Sequence, residues 1–145
     1  MSGDTERKAD LSANDSIEYD IQMRPDEGVL RYFVTGHRSF QASYRLWQRI
    51  YQDCEEHDIF KVHATIILSG ILERMEIPLI IQKLITLNAA RPITCAWVDH
   101  NHASYLDNII GERIPRPDSM NIRVFNSDKE AEIWLKTIES QASSC

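Results

Sequence analysis

The chain has 145 residues, 43% of them hydrophobic and 26% charged, a size and make-up that fit one domain with a real core and no disulfide or metal staples. Its formal net charge is −6 and its pI is about 5.3. That balance argues against a nucleic-acid partner, which calls for a basic patch to neutralise phosphates, and against an anionic membrane surface.

Residues 1–16 are polar and without periodicity, so a disordered N-terminal tail is expected there. Ile17, Tyr19, Ile21 and Met23 then alternate with Glu18, Asp20 and Gln22, the period-2 pattern of a half-buried strand. Pro25, Asp26, Glu27 and Gly28 read as a turn, and Val29 to Thr35 as a second strand, together a β-hairpin. Gly36 ends that strand and Ser39 is placed to cap a helix. Phe40, Tyr44, Trp47, Tyr51 and Cys54 share one face of that helix, widened by Leu46 and Ile50; the aromatic stripe reads as core rather than as a binding box.

Val62 to Leu68 is nearly continuous in apolar residues, which predicts a third strand buried on both faces. Ile77, Ile80, Ile81, Leu84 and Ile85 mark a second helix with Pro78 in its first turn. Ile93 to Val98 is a fourth strand. Leu106, Ile109 and Ile110 mark a short third helix capped by Asn101 and ended by Pro115 and Pro117. Ile122, Val124 and Phe125 form a fifth strand. Ser127 and Glu130 have capping-box spacing before a last helix faced by Ala131, Trp134, Leu135 and Ile138. The tail from Gln141 to Cys145 is expected to fray. The order β-β-α-β-α-β-α-β-α predicts an α/β fold over residues 17–140: a largely parallel sheet with one antiparallel edge, its faces covered by helices. The order of strands in the sheet is left open.

Cys54, Cys95 and Cys145 are odd in number, far apart and form no C-x-x-C pair, so a reducing compartment is expected rather than a disulfide framework. Met1 is followed by Ser2, Gly3, Asp4, Thr5 and Glu6 with no apolar run, and no stretch reaches the roughly 20 residues of a membrane span. A cytoplasmic protein is the expectation.

Three segments carry a resemblance. They are the opening hairpin from Ile17 to Gly36 (Ile-Glu-Tyr-Asp-Ile, then Gly-Val-Leu-Arg-Tyr-Phe-Val-Thr-Gly), the helix around Trp47, and the closing run from Ile122 to Leu135 (Ile-Arg-Val-Phe-Asn-Ser-Asp-Lys-Glu-Ala-Glu-Ile-Trp-Leu). Over about residues 17–138 the chain resembles the SpoIIAA-like family, which is related to the STAS domain and to the SEC14-like lipid-binding fold. The resemblance implies a small, non-catalytic, cytoplasmic regulatory or ligand-sensing domain. In phosphorylated STAS regulators an Asp-Ser-Ser-Gly-like segment follows the third strand and its serine is modified by a partner kinase. The matching segment here, Leu68-Ser69-Gly70-Ile71-Leu72-Glu73, keeps one Ser-Gly but lacks the preceding acid and the second serine.

Three places carry candidate chemistry. Asp99, His100 and His102 follow the fourth strand, where open α/β sheets bind ligands; two imidazoles and a carboxylate suit a divalent metal or acid–base work. A third convergent ligand is not identified there, His37 and His63 being guesses. His37, Arg38 and Ser39 sit at a strand end before a helix, where free amides and Arg38 suit an anion. Ser69 and Gly70 form a candidate modification or contact point without the glycine elbow a serine nucleophile wants. No catalytic residue, metal or cofactor is assigned. Ile66 to Leu68, Ile71, Leu72 and Ile77 to Leu87 make the middle of the chain rich in aliphatic residues, and any surplus would be covered by a second copy of the chain in a homodimer or by an apolar ligand. The leading expectation is a non-enzymatic regulatory or binding module. The second is a carrier or sensor of a lipid or other small apolar molecule. The third is a metal-assisted enzyme using Asp99, His100 and His102.

Overall fold

The structure, a computed structural model, describes residues 18–114, 117 and 120–144. The expected tail of residues 1–16, the strand position of Ile17 and the stop at Pro115 lie outside the described residues. A hairpin opens the fold: β1 (Asp20–Asp26) pairs antiparallel with β2 (Val29–His37). Its turn is shorter than the sequence suggests. Asp26 already pairs with Val29, and only Glu27 and Gly28 turn the chain, both with positive φ (53° and 80°). Two successive left-handed residues match the twist of the flanking strands. Pro25 belongs to the strand, paired with Leu30, and is tolerated because β1 is the sheet edge.

Helix α1 (Phe40–His57) follows, then β3 (Lys61–Ser69), α2 (Glu76–Ala90), β4 (Thr94–Asp99), α3 (His102–Glu112), β5 (Asn121–Phe125) and α4 (Asp128–Ser144). Ser39 caps α1 by accepting the Ala42 N–H at 3.1 Å. Asn101 accepts the Ser104 N–H at 3.3 Å in α3, and Ser127 accepts the Glu130 N–H at 3.3 Å in α4. Helix α4 runs on to Ser144, past residue 140 where the sequence suggests an end.

The five strands lie in chain order, β1-β2-β3-β4-β5, with every pair after the hairpin parallel. Each crossover steps one strand in the same direction. Right-handed connections then place α1, α2 and α3 on one face. That face holds the main core: Leu46, Trp47, Ile50 and Cys54 of α1 meet Leu30, Val34, Val62, Ile66, Cys95 and Trp97 of the sheet. Trp47 stacks on Trp97 with ring centroids 4.4 Å apart.

Among the described residues the opposite face receives only α4, whose Ala131 and Leu135 pack on Val29, Ala96 and Val98. A helix about 10 Å wide covers about two strands spaced 4.8 Å apart. The described residues leave the rest of that face open, with Phe33 43% and Ile67 44% exposed. The expectation that β3 is buried on both faces is therefore corrected. Its Val62, Ala64, Ile66 and Leu68 are buried under helices, whereas Thr65 is half-buried and Ile67 open. Among the described residues no helix is long and apolar enough to cross a membrane.

Candidate functional site

Parallel strands that end together bring their following loops together, and β2, β3 and β4 deliver His37, Ser69 and Asp99 to one rim of the sheet. At the centre of this rim Arg38 meets Asp99, with Nη2 at 3.2 and 3.4 Å from the two carboxylate oxygens. Both side chains are withdrawn from water, at 4% and 0% exposure. A buried pair of this kind is sustained only when its remaining valences are met. Here they are: Asp99 also accepts from Ser104 Oγ at 2.5 Å, Asn108 Nδ2 at 2.7 Å and the Asn101 N–H at 3.0 Å. Arg38 also donates from Nε to the Gly70 carbonyl at 3.2 Å, and its backbone N–H donates to the Ser69 carbonyl at 2.8 Å.

The loop above this pair is stitched down. Asn101 Nδ2 donates to the carbonyls of Leu68 at 3.2 Å and Gly70 at 3.1 Å. Ser69 is exposed, with Oγ 2.8 Å from His37 Nδ1. Gly70 adopts φ +78°, and a Cβ there would stand 2.9 Å from His37 Cε1, so only glycine lets the imidazole lie over this loop. Ile71 and Met75 continue the rim into solvent.

The structure thus brings together His37, Arg38, Ser69, Gly70 and Asp99, with Ser39 beside them as the α1 cap. It does not unite Asp99, His100 and His102. Asp99 is enclosed by Arg38, Ser104 and Asn108, whereas His100 Nε2 reaches the other way to Asp128 Oδ2 at 2.9 Å. Consecutive residues leaving a strand point to opposite faces, which explains the divergence. His102 is exposed at the start of α3. Among the described residues no three His, Cys, Asp or Glu side chains are placed to hold a metal ion. Among the described residues the Ser69–His37 contact has a hydrogen bond but no third group orienting His37, as the ordered base of an acyl-transfer site would have.

A second polar cluster lies on the open face. Arg31 of β2 is paired with Glu132 of α4 and donates from Nε to Asp26 at 3.0 Å. His63, the cross-strand neighbour of Arg31, has Nδ1 2.7 Å from Glu132 and Nε2 2.8 Å from Asp128. Thr65 Oγ1 donates to Asp128 at 2.7 Å. Burial pushes the Asp128 carboxyl up, but hydrogen bonds from Thr65, His63 and His100 outweigh it and hold the group below its ordinary value. The Arg31 hydrogen bond, against an upward push from burial and with help from His63, holds Glu132 below its ordinary value too. Beside this cluster Gln22, Arg24, Arg31, Phe33 and Thr65 line an open concavity of about 400 Å³. A cleft between the helices, under Leu72, Ile80 and Leu84 and against Trp47 and Trp97, holds about 70 Å³.

Sequence reasoning names His63 only as a guessed ligand and misses Arg31, Thr65, Asp128 and Glu132. The one local signal was the four-residue spacing of Asp128 and Glu132, which sets both on one side of a helix. No family model, curated protein or solved structure matches the chain.

Proposed function

We propose that this chain is a non-enzymatic binding module of the SpoIIAA-like type that meets a protein partner through the rim at the ends of β2, β3 and β4. One observation carries the reading. The rim is a stiff frame, built on the enclosed Arg38–Asp99 pair and the Asn101 side chain, that presents His37, Ser69, Ile71 and Met75 outward. Surfaces held in place before binding lose less conformational freedom on association, and mixed polar and aliphatic groups suit a protein partner. The hairpin followed by alternating helices and strands is the architecture that the SpoIIAA-like reading calls for.

The carrier reading has less support. A drug-sized apolar molecule takes a pocket of roughly 300 Å³ or more. The apolar cleft holds about 70 Å³, and the larger concavity is open and lined by Arg24, Arg31, His63 and Asp128. The metal-enzyme reading loses its geometric basis with the divergence of Asp99 and His100.

The test is photo-crosslinking in the native cell with a benzophenone side chain at position 71, on the rim, or at position 55, exposed near the far end of α1. A single partner band that recurs at position 71 and is missing at position 55 supports the proposal. Equal labelling at both positions, or none at position 71, refutes it. A band at twice the mass of the chain identifies the partner as a second copy.

A further inference from the structure

Glu27 and Gly28 make a two-residue turn with φ of 53° and 80°, so Asp26 and Val29 exchange backbone hydrogen bonds across it. The alternation of an antiparallel ladder then aims the backbone of Asp20, Gln22, Arg24 and Asp26 at β2. It aims the backbone of Ile21, Met23 and Pro25 away from the sheet. The ladder runs from Asp20 to Asp26 without a bulge, and among the described residues no strand or other backbone group bonds to its outer side. The far edge of the sheet is treated differently: the Val124 N–H of β5 donates to the Glu112 carboxylate at 2.8 Å. A regular edge with free N–H and C=O groups is a template for one more strand.

We propose that β1 pairs with itself: two copies of the chain join antiparallel through this edge, centred on Gln22, and continue the sheet across a two-fold axis. In that register Ile21 of one copy faces Met23 of the other, and each pair exchanges both N–H···O=C bonds. Asp20 faces Arg24 of the second copy, and Arg24 faces its Asp20, so the charges are self-complementary as an isologous contact requires. These are closely spaced cross-strand pairs, on the open face of the sheet. Asp20 is exposed, and Arg24 is 70% exposed with its own-strand Asp26 at 3.5 Å. On the helix face Ile21 and Met23, only partly buried in one copy, gain each other as apolar neighbours. Other registers lose these matches. Centring on Met23 sets Asp20 against Asp26. Centring on Arg24 opposes like charges and sets Met23 against Pro25, which has no N–H to give. Centring on Ile21 carries Arg24 past the end of β1. The contact uses none of the rim side chains and leaves them for the partner proposed above.

Sedimentation of the full chain from about 10 µM to about 1 mM, at low ionic strength, tests the pairing. A reversible dimer is expected. D20R and R24D should each weaken it at least about tenfold, because like charges then face each other twice. An equimolar mixture of D20R and R24D should recover it, since every new charge again meets its opposite. A wild-type chain that stays monomeric, single variants that dimerise like the wild type, or a mixture that fails to recover overturns the proposal. Amide hydrogen exchange of the wild-type chain decides without any variant. Exchange at Ile21 and Met23 should slow as the dimer forms, while Gln22 and Arg24, already bonded to β2, change less. A dimer that leaves Ile21 and Met23 unprotected uses another surface and overturns the proposal. So does a monomer that protects them, which would assign the edge to residues 1–17 of the same chain.

Discussion

Replacing Asp99 with Asn removes one charge from the rim while keeping the shape of the side chain. The carboxylate receives Arg38 on both oxygens, Ser104 and Asn108 on Oδ2, and the Asn101 N–H on Oδ1. An asparagine oxygen can take the Oδ2 place, but its NH₂ then faces the Asn101 N–H, donor to donor. Arg38, at 4% side-chain exposure, is left as an uncompensated buried cation. Breaking one half of a buried pair costs about 3–5 kcal/mol, a large share of the roughly 5–15 kcal/mol that holds a domain of this kind together. Urea unfolding at neutral pH, followed by far-ultraviolet circular dichroism, measures the loss. The R38M/D99N double variant should be less destabilised than the sum of the two single ones by at least about 1 kcal/mol, because removing both charges leaves none stranded. A D99N loss under about 1 kcal/mol, or strict additivity in the cycle, would refute the view that this pair anchors the rim.

Three further outcomes follow from the same geometry. G70A should destabilise by about 1–2 kcal/mol, because φ +78° is strained for alanine, and should shift the His37 ring signals in NMR, because the new Cβ meets His37 Cε1. Burial pushes the Cys54 thiol up to about 12, with Asp53 adding to the shift, and burial pushes Cys95 well up as well. Iodoacetamide at about pH 8 should therefore leave the peptides of both residues unlabelled until denaturant is added, as read by mass spectrometry. Asp128 and Glu132 have folded values below their unfolded ones, so they contribute stability above the ordinary carboxylate range that is lost as pH falls through the folded values. Unfolding midpoints measured from about pH 5 down to about pH 2.5 should fall less steeply in D128N/E132Q than in the wild-type chain.

Much of the fold is written in local patterns. The alternation around Ile21 and Met23, the stripe through Leu46, Trp47 and Ile50, and the caps Ser39, Asn101 and Ser127 each depend on neighbours in sequence, so they are legible there. What is not legible depends on long-range placement. The run Val62 to Leu68 looks buried on both faces because Ile67 is as apolar as Ile66; Ile67 is exposed because, among the described residues, only α4 crosses the second face. Pro25 reads as a turn former until β1 is known to be an edge. The rim is half legible. His37, Arg38, Ser69 and Asp99 stand out as polar residues at strand ends, yet nothing local shows that Asp99 turns inward to Arg38 while His100 turns away to Asp128. The His63 cluster joins residues from β2, β3 and α4 across as many as 101 positions, and its geometry exists only once the register Arg31–His63 is set.

The central claim is that the rim, rather than the body of the domain, meets the outside world. Hydroxyl-radical footprinting of Met75 tests it most directly, because that side chain is 73% exposed and carries a reactive thioether on the rim. Oxidation of Met75 should be suppressed several-fold in the native cell relative to the purified chain, while Ile133 on the outer side of α4 is oxidised alike in both. Equal oxidation of Met75 in the two settings, with protection appearing at Ile133 instead, would contradict the account.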